Sequence, residues 1–292
     1  MMHVLTMVFV LVQMGPAAIP VSELAMAGIN FLYEEQEEFR ETYTVDPGTR
    51  LEVHNANGEI TVSTWNKNVV EVYALKKTRY GKDELKKVNI DVSTDDKITV
   101  RTEYLEKNAR VSVEYTIHVP SNVEIDRLET SNGEITLTGT KGDARLITSN
   151  GEIYVKDVTG SVEAETSNGE IIIEGTTAAV SAVTSNGEIT IKRAKSIVEA
   201  VTSNGNIEAE ILHIPDKGST IETSNGSIKL YLKDGLDADM RLTTSLGSVS
   251  VHDIDLLVSN QSKTYLKGKI GNGGALIKAT TSLGEIDVYQ MK

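Results

Sequence analysis

The stretch 130–191 contains four near-identical segments, TSNGEITL, TSNGEIYV, TSNGEIII and TSNGEITI, which begin at Thr130, Thr148, Thr166 and Thr184. Their glycines lie 18 residues apart without drift. Weaker copies begin at residues 202, 223, 244 and 281, and an earlier copy, NANGEITV, occupies residues 55–62. A period this short and strict is typical of a protein built from stacked repeats.

Each repeat predicts two or three short strands. In the repeat 151–168, Ile153 and Val155 alternate with polar residues, and Val162 and Ala164 do so again. Alternation with a period of two predicts strands with one buried face. Asn-Gly at 150–151 and Thr-Gly at 159–160 supply the sharp turns between them.

The Asn-Gly pairs could also mark tight antiparallel hairpins. Hairpins, however, would not place one tetrapeptide at the same register four times, whereas a coil that climbs one strand spacing per turn would. We therefore predict an all-β fold, a parallel β-solenoid or β-helix of about 18 residues per coil with equivalent residues stacked about 4.8 Å apart. The chirality of parallel crossovers favours a right-handed coil.

The Asn-Gly pair recurs once per coil and forms a predicted structural ladder. The asparagine position accepts Leu246 and Leu283 in later copies, which favours an interior location. Buried amides need partners, because an unpaired one costs about 1–3 kcal/mol. The alternative is that asparagine merely favours the turn. The ladder residues are Asn132, Gly133, Asn150, Gly151, Asn168, Gly169, Asn186, Gly187, Asn204, Gly205, Asn225 and Gly226.

The residue after the glycine should face water, and in four successive copies it is a glutamate. One interpretation is a cation-binding stripe. The interpretation that we favour is a solvated face that discourages lateral aggregation, because Asn206, Ser227 and Ser248 interrupt the stripe in later copies. Glycine-aspartate nonapeptides of the calcium-binding type are also absent. The exposed acidic stripe comprises Glu134, Glu152, Glu170 and Glu188.

Composition narrows the functional classes. Hydrophobic residues make up 39% and aromatic residues 5%, which suits a narrow core of aliphatic side chains. The net charge of −13 disfavours nucleic acid and anionic membrane surfaces as partners. The chain has no cysteine, which excludes disulfides, thiolate metal sites, a cysteine nucleophile and a lipid anchor on cysteine.

Neither metal-binding nor catalytic residues stand out. None of the five histidines has metal-ligand spacing, and His54 and His118 fall on the polar phase of their strands, where we expect surface histidines. There is no nucleophile elbow of the GxSxG type, and the serines recur once per coil rather than in one cluster. We therefore predict no metal site, no cofactor, no catalytic residues and no enzymatic activity.

The N-terminal segment 1–27 reads as a signal peptide or N-terminal anchor. Residues 4–12 form an apolar run of nine, and Ala25-Met26-Ala27 fits a cleavage site. The run is too short to span a bilayer, which needs about 20 residues. A cleavable secretion signal is favoured, with a membrane anchor and a buried segment as alternatives.

The remainder divides into three predicted parts. Residues 28–38 form an acidic linker with a flexible run of glutamates, residues 39–120 form an N-terminal β-rich capping module, and residues 121–292 form the β-solenoid repeat domain. Within these parts we predict a short helix at 82–88, a hairpin around residues 95–96, and turn insertions at 213–219 and 233–237.

The C-terminal part is less regular. The interval between Gly247 and Gly284 is 37 residues, which predicts two coils with one motif lost. We expect the glycine-rich segment 268–274 within it to form a corner. We also expect residues 285–289 to form a final strand with a free edge.

The order of features resembles the putative-adhesin, β-strand-repeat family of unknown function found in bacterial and archaeal envelopes. The resembling residues are DPGTRLEV at 46–53, NGEITV at 57–62 with Trp65, YTIHVP at 115–120, the TSNGEI repeats, and GKIGNGG at 268–274 followed by TSLGEI at 281–286. The resemblance covers residues 39–289. It implies a β-solenoid outside the membrane or in the envelope, with no established catalytic residues.

We therefore predict a non-enzymatic, extracellular or cell-envelope β-solenoid that serves as an adhesin-like structural or binding module. Its partner would be a polymer, a protein at the cell surface or a neighbouring copy, bound through repeated, aligned, weak contacts. Membrane association through the N-terminus stays open. The alternatives are an envelope-stress or signalling component that docks a membrane partner, and a carbohydrate-active enzyme on a β-helix.

Overall fold

The structure is a computed structural model that describes residues 34–291, in which the regular elements are β-strands apart from one 3₁₀ helix at Lys82–Lys87. The first eight strands are β1 (Glu35–Thr44), β2 (Arg50–His54), β3 (Ile60–Trp65), β4 (Val69–Thr78), β5 (Val88–Ser93), β6 (Ile98–Tyr104), β7 (Ser112–Pro120) and β8 (Glu124–Glu129). The strands of the strict repeats are β9 (Ile135–Thr138), β10 (Ala144–Ile147), β11 (Ile153–Val158), β12 (Val162–Glu165), β13 (Ile171–Thr176), β14 (Ala179–Val183) and β15 (Ile189–Lys192). The later strands are β16 (Ser196–Asn204), β17 (Ile207–Ile211), β18 (Ser219–Asn225), β19 (Ile228–Leu232), β20 (Ala238–Leu246), β21 (Val249–His252), β22 (Leu256–Gln261), β23 (Tyr265–Ile270), β24 (Leu276–Leu283) and β25 (Ile286–Gln290).

Two long sheets form the solenoid, and each repeat contributes one strand to each sheet. Sheet A has the order β1-β4-β7-β3-β9-β11-β13-β15-β17-β19-β25-β21. Sheet B has the order β22-β23-β20-β24-β18-β16-β14-β12-β10-β8-β2-β6-β5. Neighbouring strands of the repeats are parallel, so Ile153 pairs with Ile135 on one side and Ile171 on the other. The predicted parallel β-solenoid is confirmed.

The core is one continuous column of aliphatic side chains between the sheets. Ile153 and Val155 of sheet A and Leu146 of sheet B are fully buried. Each buried aliphatic side chain contributes about 1.5–3 kcal/mol through the hydrophobic effect. Because the same residue types recur in every coil, each layer of the core packs on a nearly identical layer.

The chain does not stack its coils in sequence order at either end. At the N-terminal end, the coil of β2 and β3 lies between the coil of β6 and β7 and the coil of β8 and β9. At the C-terminal end, β25 pairs with β19 and β21, and β24 pairs with β18 and β20. The last coil of the chain is thus inserted between two earlier coils. The prediction that the final strand has a free edge is wrong.

Two further expectations need correction. The acidic run 35–38 is not a flexible linker but part of β1, which pairs antiparallel with β4, and Glu37 lies 2.6 Å from Lys76. The interval between Gly247 and Gly284 holds only one coil, because an antiparallel hairpin of β22 and β23 occupies the rest. The predicted corner at 268–274 forms only in its second half. Gly268 lies within β23, and the turn begins after that strand, at Gly271.

The predictions of individual local elements are confirmed. The short helix occurs as a 3₁₀ turn at Lys82–Lys87, and the hairpin around residues 95–96 joins antiparallel β5 and β6. The loops 212–218 and 233–237 carry the predicted insertions. Strands of the region 39–120 lie in the same two sheets as the repeats, and the division into a capping module and a repeat domain stays a prediction. The segment 1–27 lies outside the described residues.

None of the helical residues between 34 and 291 forms an apolar helix long enough to cross a bilayer.

Candidate binding ridge at the repeat corner

The asparagine side chains form a hydrogen-bonded ladder along the corner between the sheets. In each step the Nδ2 of one asparagine donates to the Oδ1 of the asparagine one coil away. Six successive bonds measure 2.7–2.9 Å and join Asn57, Asn132, Asn150, Asn168, Asn186, Asn204 and Asn225. Comparable amide ladders stabilise stacked in-register strands in other β architectures.

This amide ladder lies on the outer surface, and the predicted interior location is wrong. The six asparagines of the ladder from Asn132 to Asn225 are all exposed to solvent. Leu246 and Leu283, which continue the column beyond Asn225, are 68% and 48% exposed. Leucine is accepted there because the position opens to solvent, and a side chain of any polarity fits.

The buried polar residue of the motif is instead the threonine that begins it. Thr148 is 2% exposed, and its Oγ1 donates to the carbonyl oxygen of Gly133 in the preceding coil at 3.0 Å. The same bond recurs at 2.8–3.1 Å from Thr130, Thr166, Thr184, Thr202, Thr223, Thr244 and Thr281. Sequence reasoning missed this residue, although its presence in all eight TS-containing copies was the available signal.

We expect Thr166→Val to lower the free energy of unfolding by about 1–3 kcal/mol, because the Gly151 carbonyl loses the hydroxyl that it accepts from at 3.0 Å. Valine keeps the shape of the side chain, so packing changes little. The measurement is urea unfolding followed by circular dichroism. Thr166→Ser is the matched control, since it keeps the hydroxyl, and equal losses in both variants would contradict this account.

The glycine of the motif allows neighbouring coils to approach closely. A Cβ atom added to Gly151 would lie 1.9 Å from the carbonyl oxygen of Gly133. At the same corner, the N–H of Gly133 donates to the carbonyl of Asn150 at 2.9 Å. The close approach of the glycine backbones therefore brings the asparagines within hydrogen-bonding distance of each other.

The acidic stripe runs beside the amide ladder. Glu134, Glu152 and Glu188 are exposed, whereas Glu170 is half-buried. Burial, and then the charges of Glu152 and Glu188, raise the pKa of Glu170. The stripe ends where Asn206 donates to Glu188 at 2.9 Å. No group of three or more acidic or histidine side chains within residues 34–291 is arranged to hold a metal ion.

We expect Glu170→Gln to stabilise the protein at pH 7 and to have little effect at pH 3. A carboxyl whose pKa is raised by folding destabilises the folded state once it ionises, and this cost disappears below the pKa of the unfolded chain. The stability difference between variant and parent should therefore shrink as the pH falls. Melting temperatures of both proteins between pH 3 and pH 8 test this, and a constant difference would contradict it.

The acidic stripe is expected to be a solvated face without a cation. Titration with calcium should then leave the melting temperature unchanged, because a ligand that binds only the folded state would raise it. A calcium-dependent rise that disappears in Glu170→Gln would instead establish a cation site on the stripe.

The histidines occupy separate positions and have specific partners. His54 lies 3.3 Å from Glu129 and 3.5 Å from Glu52, and His118 stacks on Trp65 with ring centroids 5.1 Å apart. Both side chains are half-buried, so the expectation of open surface histidines is corrected. His252 stacks on Tyr289 at the opposite end of sheet A. These residues share no site.

The amide ladder and its neighbours form what we call the corner ridge: the exposed serines and asparagines of the TSNG motif. Within the ladder each interior amide uses one N–H and one lone pair, which leaves one N–H and one lone pair free except at Asn186, whose Nδ2 also donates to the Ser167 carbonyl at 3.5 Å. The exposed serines add hydroxyls beside each amide. The corner ridge is thus a neutral, regularly spaced hydrogen-bonding surface flanked by carboxylates, which disfavour polyanions.

A groove lies on the flank of the corner ridge where the acidic stripe ends. Its volume is about 420 Å³, and it crosses four neighbouring coils of sheet A. The polar residues that line it are Glu188, Thr190, Asn206, Glu208, Ser227, Lys229, Glu285 and Asp287. This surface carries both donors and acceptors next to the ridge.

Comparison with known proteins identifies the family but no ligand. None of the curated proteins that were compared matches the chain significantly. A solved structure from Clostridium sporogenes, described as a "putative cell adhesion protein", is 13% identical over 87% of this chain and 100% of its own, with a TM-score of 0.26. Two structures described as a "putative adhesin", from Bacteroides fragilis and Parabacteroides distasonis, are 14% and 11% identical.

Both of those structures cover 87% of this chain and 97% of their own, with TM-scores of 0.47 and 0.43. The sequence itself gives the stronger match, since residues 48–289 match the Toastrack DUF4097 family. That range contains every repeat and both inserted end coils. The chain belongs to the Toastrack DUF4097 family.

Proposed function

We propose that this protein is a non-enzymatic binding module of the cell surface or cell envelope, which holds a linear, neutral, polar polymer along its corner ridge. The observation that carries the proposal is the unbroken amide ladder from Asn57 to Asn225 on the outer surface. A polymer repeats its own groups along one axis. A ridge that repeats donors and acceptors along one axis matches it.

The chemistry of the flanks defines the ligand class. The acidic stripe repels anionic polymers, whereas hydroxyl-rich neutral chains can bond with free amide and serine groups. Each contact is weak because water competes for it, so binding strength depends on the number of coils engaged. The proposed ligand class is therefore a neutral polysaccharide or a similar polyhydroxylated polymer.

The proposed placement is outside the cytoplasmic membrane. The secretion-like sequence 1–27 supports it. Fractionation of cells that express the full chain should recover it in the envelope or medium, and protease added to intact cells should reach it. Recovery in the cytoplasm with full protease protection would contradict the placement.

Co-sedimentation with insoluble neutral polysaccharides, namely cellulose, chitin and β-glucan, tests the binding proposal. We expect retention on at least one of them. The triple variant Asn150→Ala, Asn168→Ala, Asn186→Ala should be retained at least about tenfold more weakly, because it removes three consecutive asparagines of the amide ladder and the hydrogen bonds that they form. Circular dichroism verifies that this variant is folded.

The matched control changes three residues in consecutive coils on the outer face of sheet B, Glu163→Ala, Ser181→Ala and Glu199→Ala. It should bind like the parent. Equal retention by the ridge variant and the parent, or no retention on any polymer, contradicts the proposal. Release of reducing ends from a bound polysaccharide contradicts its non-enzymatic part.

A further inference from the structure

The four outer edges of the two sheets are protected unequally. On sheet A, β1 carries glutamates at 35, 37, 38 and 41, and β21 is only four residues long. On sheet B, β5 contacts the 3₁₀ helix and carries Asp91. Charges, shortness and covering elements are the usual means by which proteins prevent edge strands from pairing.

The fourth edge, β22 at the C-terminal end of sheet B, has neither the charges of β1 nor the shortness of β21, and its one such device within residues 34–291 is a bulge at Ser259. Its six residues, LLVSNQ, carry no charge. Leu257 is 71% exposed and Val258 is 48% exposed. Within residues 34–291, β23 is the only strand that pairs with β22, so the outer backbone groups of β22 have no strand partner there. A bulge at Ser259 interrupts the register, and its hydroxyl donates to the Lys267 carbonyl on the inner side.

The charges that flank β22 are arranged for pairing with a second copy. Asp253 and Asp255 precede the strand and Lys263 follows it, and all three are exposed. None of them forms an ion pair with another residue in the described part of the chain. In an antiparallel pairing centred on Val258, the end of β22 that Asp253 and Asp255 precede lies beside the end of the partner's β22 that Lys263 follows, so these opposite charges face the same end of the interface.

A parallel pairing would set aspartate against aspartate and lysine against lysine, which is unfavourable. The charge pattern therefore selects the antiparallel arrangement, which has two-fold symmetry and closes after two copies. An exposed aliphatic pair at the centre with complementary charges at the rim is also the usual layout of a protein interface.

We propose that β22 pairs antiparallel with β22 of a second copy of this chain, which joins the two B sheets into one continuous sheet across a symmetric dimer. Edge-to-edge pairing of this kind takes its affinity from main-chain hydrogen bonds and its specificity from side chains. The interface is small, so the dimer is reversible and depends on concentration. The proposal is independent of polymer binding.

Sedimentation velocity of the full chain between about 1 µM and 1 mM tests the proposal, since we expect an interface of this size to give a dissociation constant within this range. We expect a monomer–dimer equilibrium. Val258→Lys should abolish the dimer, because it places two ammonium groups at the symmetry centre. A protein that stays monomeric at 1 mM overturns the proposal, as does a dimer that Val258→Lys leaves intact.

Charge reversal tests the orientation. Asp253→Lys or Lys263→Glu alone should weaken dimerisation about 3- to 10-fold, because each change creates two like-charge contacts by symmetry. The double variant should return to within about twofold of the parent, since it restores opposite charges. Failure of the double variant to recover overturns the antiparallel arrangement.

The absence of cysteine allows a direct distance test. Val258→Cys should form a disulfide-linked dimer under mild oxidation, because directly opposed residues of antiparallel strands lie about 4.5–5.5 Å apart at Cα, within disulfide range. Ser185→Cys, an exposed position on the corner ridge, is the matched control. Equal cross-linking of both variants overturns the proposal.

Discussion

Gly169→Ala is expected to lower the free energy of unfolding by about 3 kcal/mol or more, because the new methyl group has no space. A Cβ atom at this position would lie 1.8 Å from the carbonyl oxygen of Gly151 and 2.5 Å from its carbonyl carbon. Both are backbone atoms of the neighbouring coil, so relief requires that the coils move apart.

That movement would also disturb the hydrogen bonds on either side of the glycine. The N–H of Gly169 donates to Asn186, and the amides of Asn150, Asn168 and Asn186 bond to one another at 2.9 Å. The φ angle of Gly169 lies outside the left-handed region, so the variant reports on space alone. Urea unfolding of variant and parent gives the difference in stability.

Gly235→Ala is the matched control for this prediction. Gly235 has a φ of +74° but no atom within 4 Å of an added Cβ. The variant should therefore cost only the conformational penalty of a left-handed residue, about 1–2 kcal/mol. A Gly169→Ala variant no less stable than Gly235→Ala would show that coil spacing is not set by the glycine column.

Val288→Asp is the second substitution with a large expected effect, a loss of about 4 kcal/mol or more or failure to fold. Val288 is completely buried, and it pairs with Leu230 on one side and Val251 on the other. A carboxylate at this position loses its hydration and gains no partner. Thermal unfolding and the yield of folded protein measure the effect.

Val251→Asp provides the comparison, because it changes the same residue type in the same row of the same sheet. Val251 lies in β21, the outer strand, and is only partly buried. Its carboxylate can turn toward water, so we expect about half the cost of Val288→Asp or less. If the chain terminus were the outer strand, the order of the two effects would be reversed.

The repeat sequence was sufficient to predict the solenoid. Four segments at one period with Ile and Val in alternate positions leave few packings other than parallel stacking, and Ile135, Ile153 and Ile171 do pair in register. The Toastrack DUF4097 assignment agrees with the resemblance predicted from the same features. The repeat pattern involves only residues that are close in sequence, so a single sequence is enough to detect it.

The orientation of the corner residues was not predictable by the same reasoning. Asparagine and threonine both have polar groups that can bond to a neighbouring coil, and hydropathy does not decide which one turns inward. The acceptance of leucine at 246 and 283 pointed to the interior, although these leucines are exposed. Thr166 turns inward because its short hydroxyl reaches the Gly151 carbonyl without displacing the core methyl groups.

The order in which the end coils stack was also not predictable from the sequence. The sequence 276–290 resembles any other repeat, and nothing in its pattern distinguishes a last coil from an inserted one. Its position between β18–β19 and β20–β21 depends on the hairpin of β22 and β23, which carries the chain back. Contacts between distant segments decide this placement, and single-sequence periodicity does not report them.

The two inserted end coils also determine how such a protein can change its length during evolution. Between them, successive coils meet only neighbours of the same design, so tandem duplication of one 18-residue segment would add a layer without altering either terminus. Each duplication would extend the molecule by about 4.8 Å. Variants that differ by whole multiples of this segment should therefore fold, whereas insertions of other lengths should be tolerated only at the turns, where the loops 212–218 and 233–237 already accommodate them.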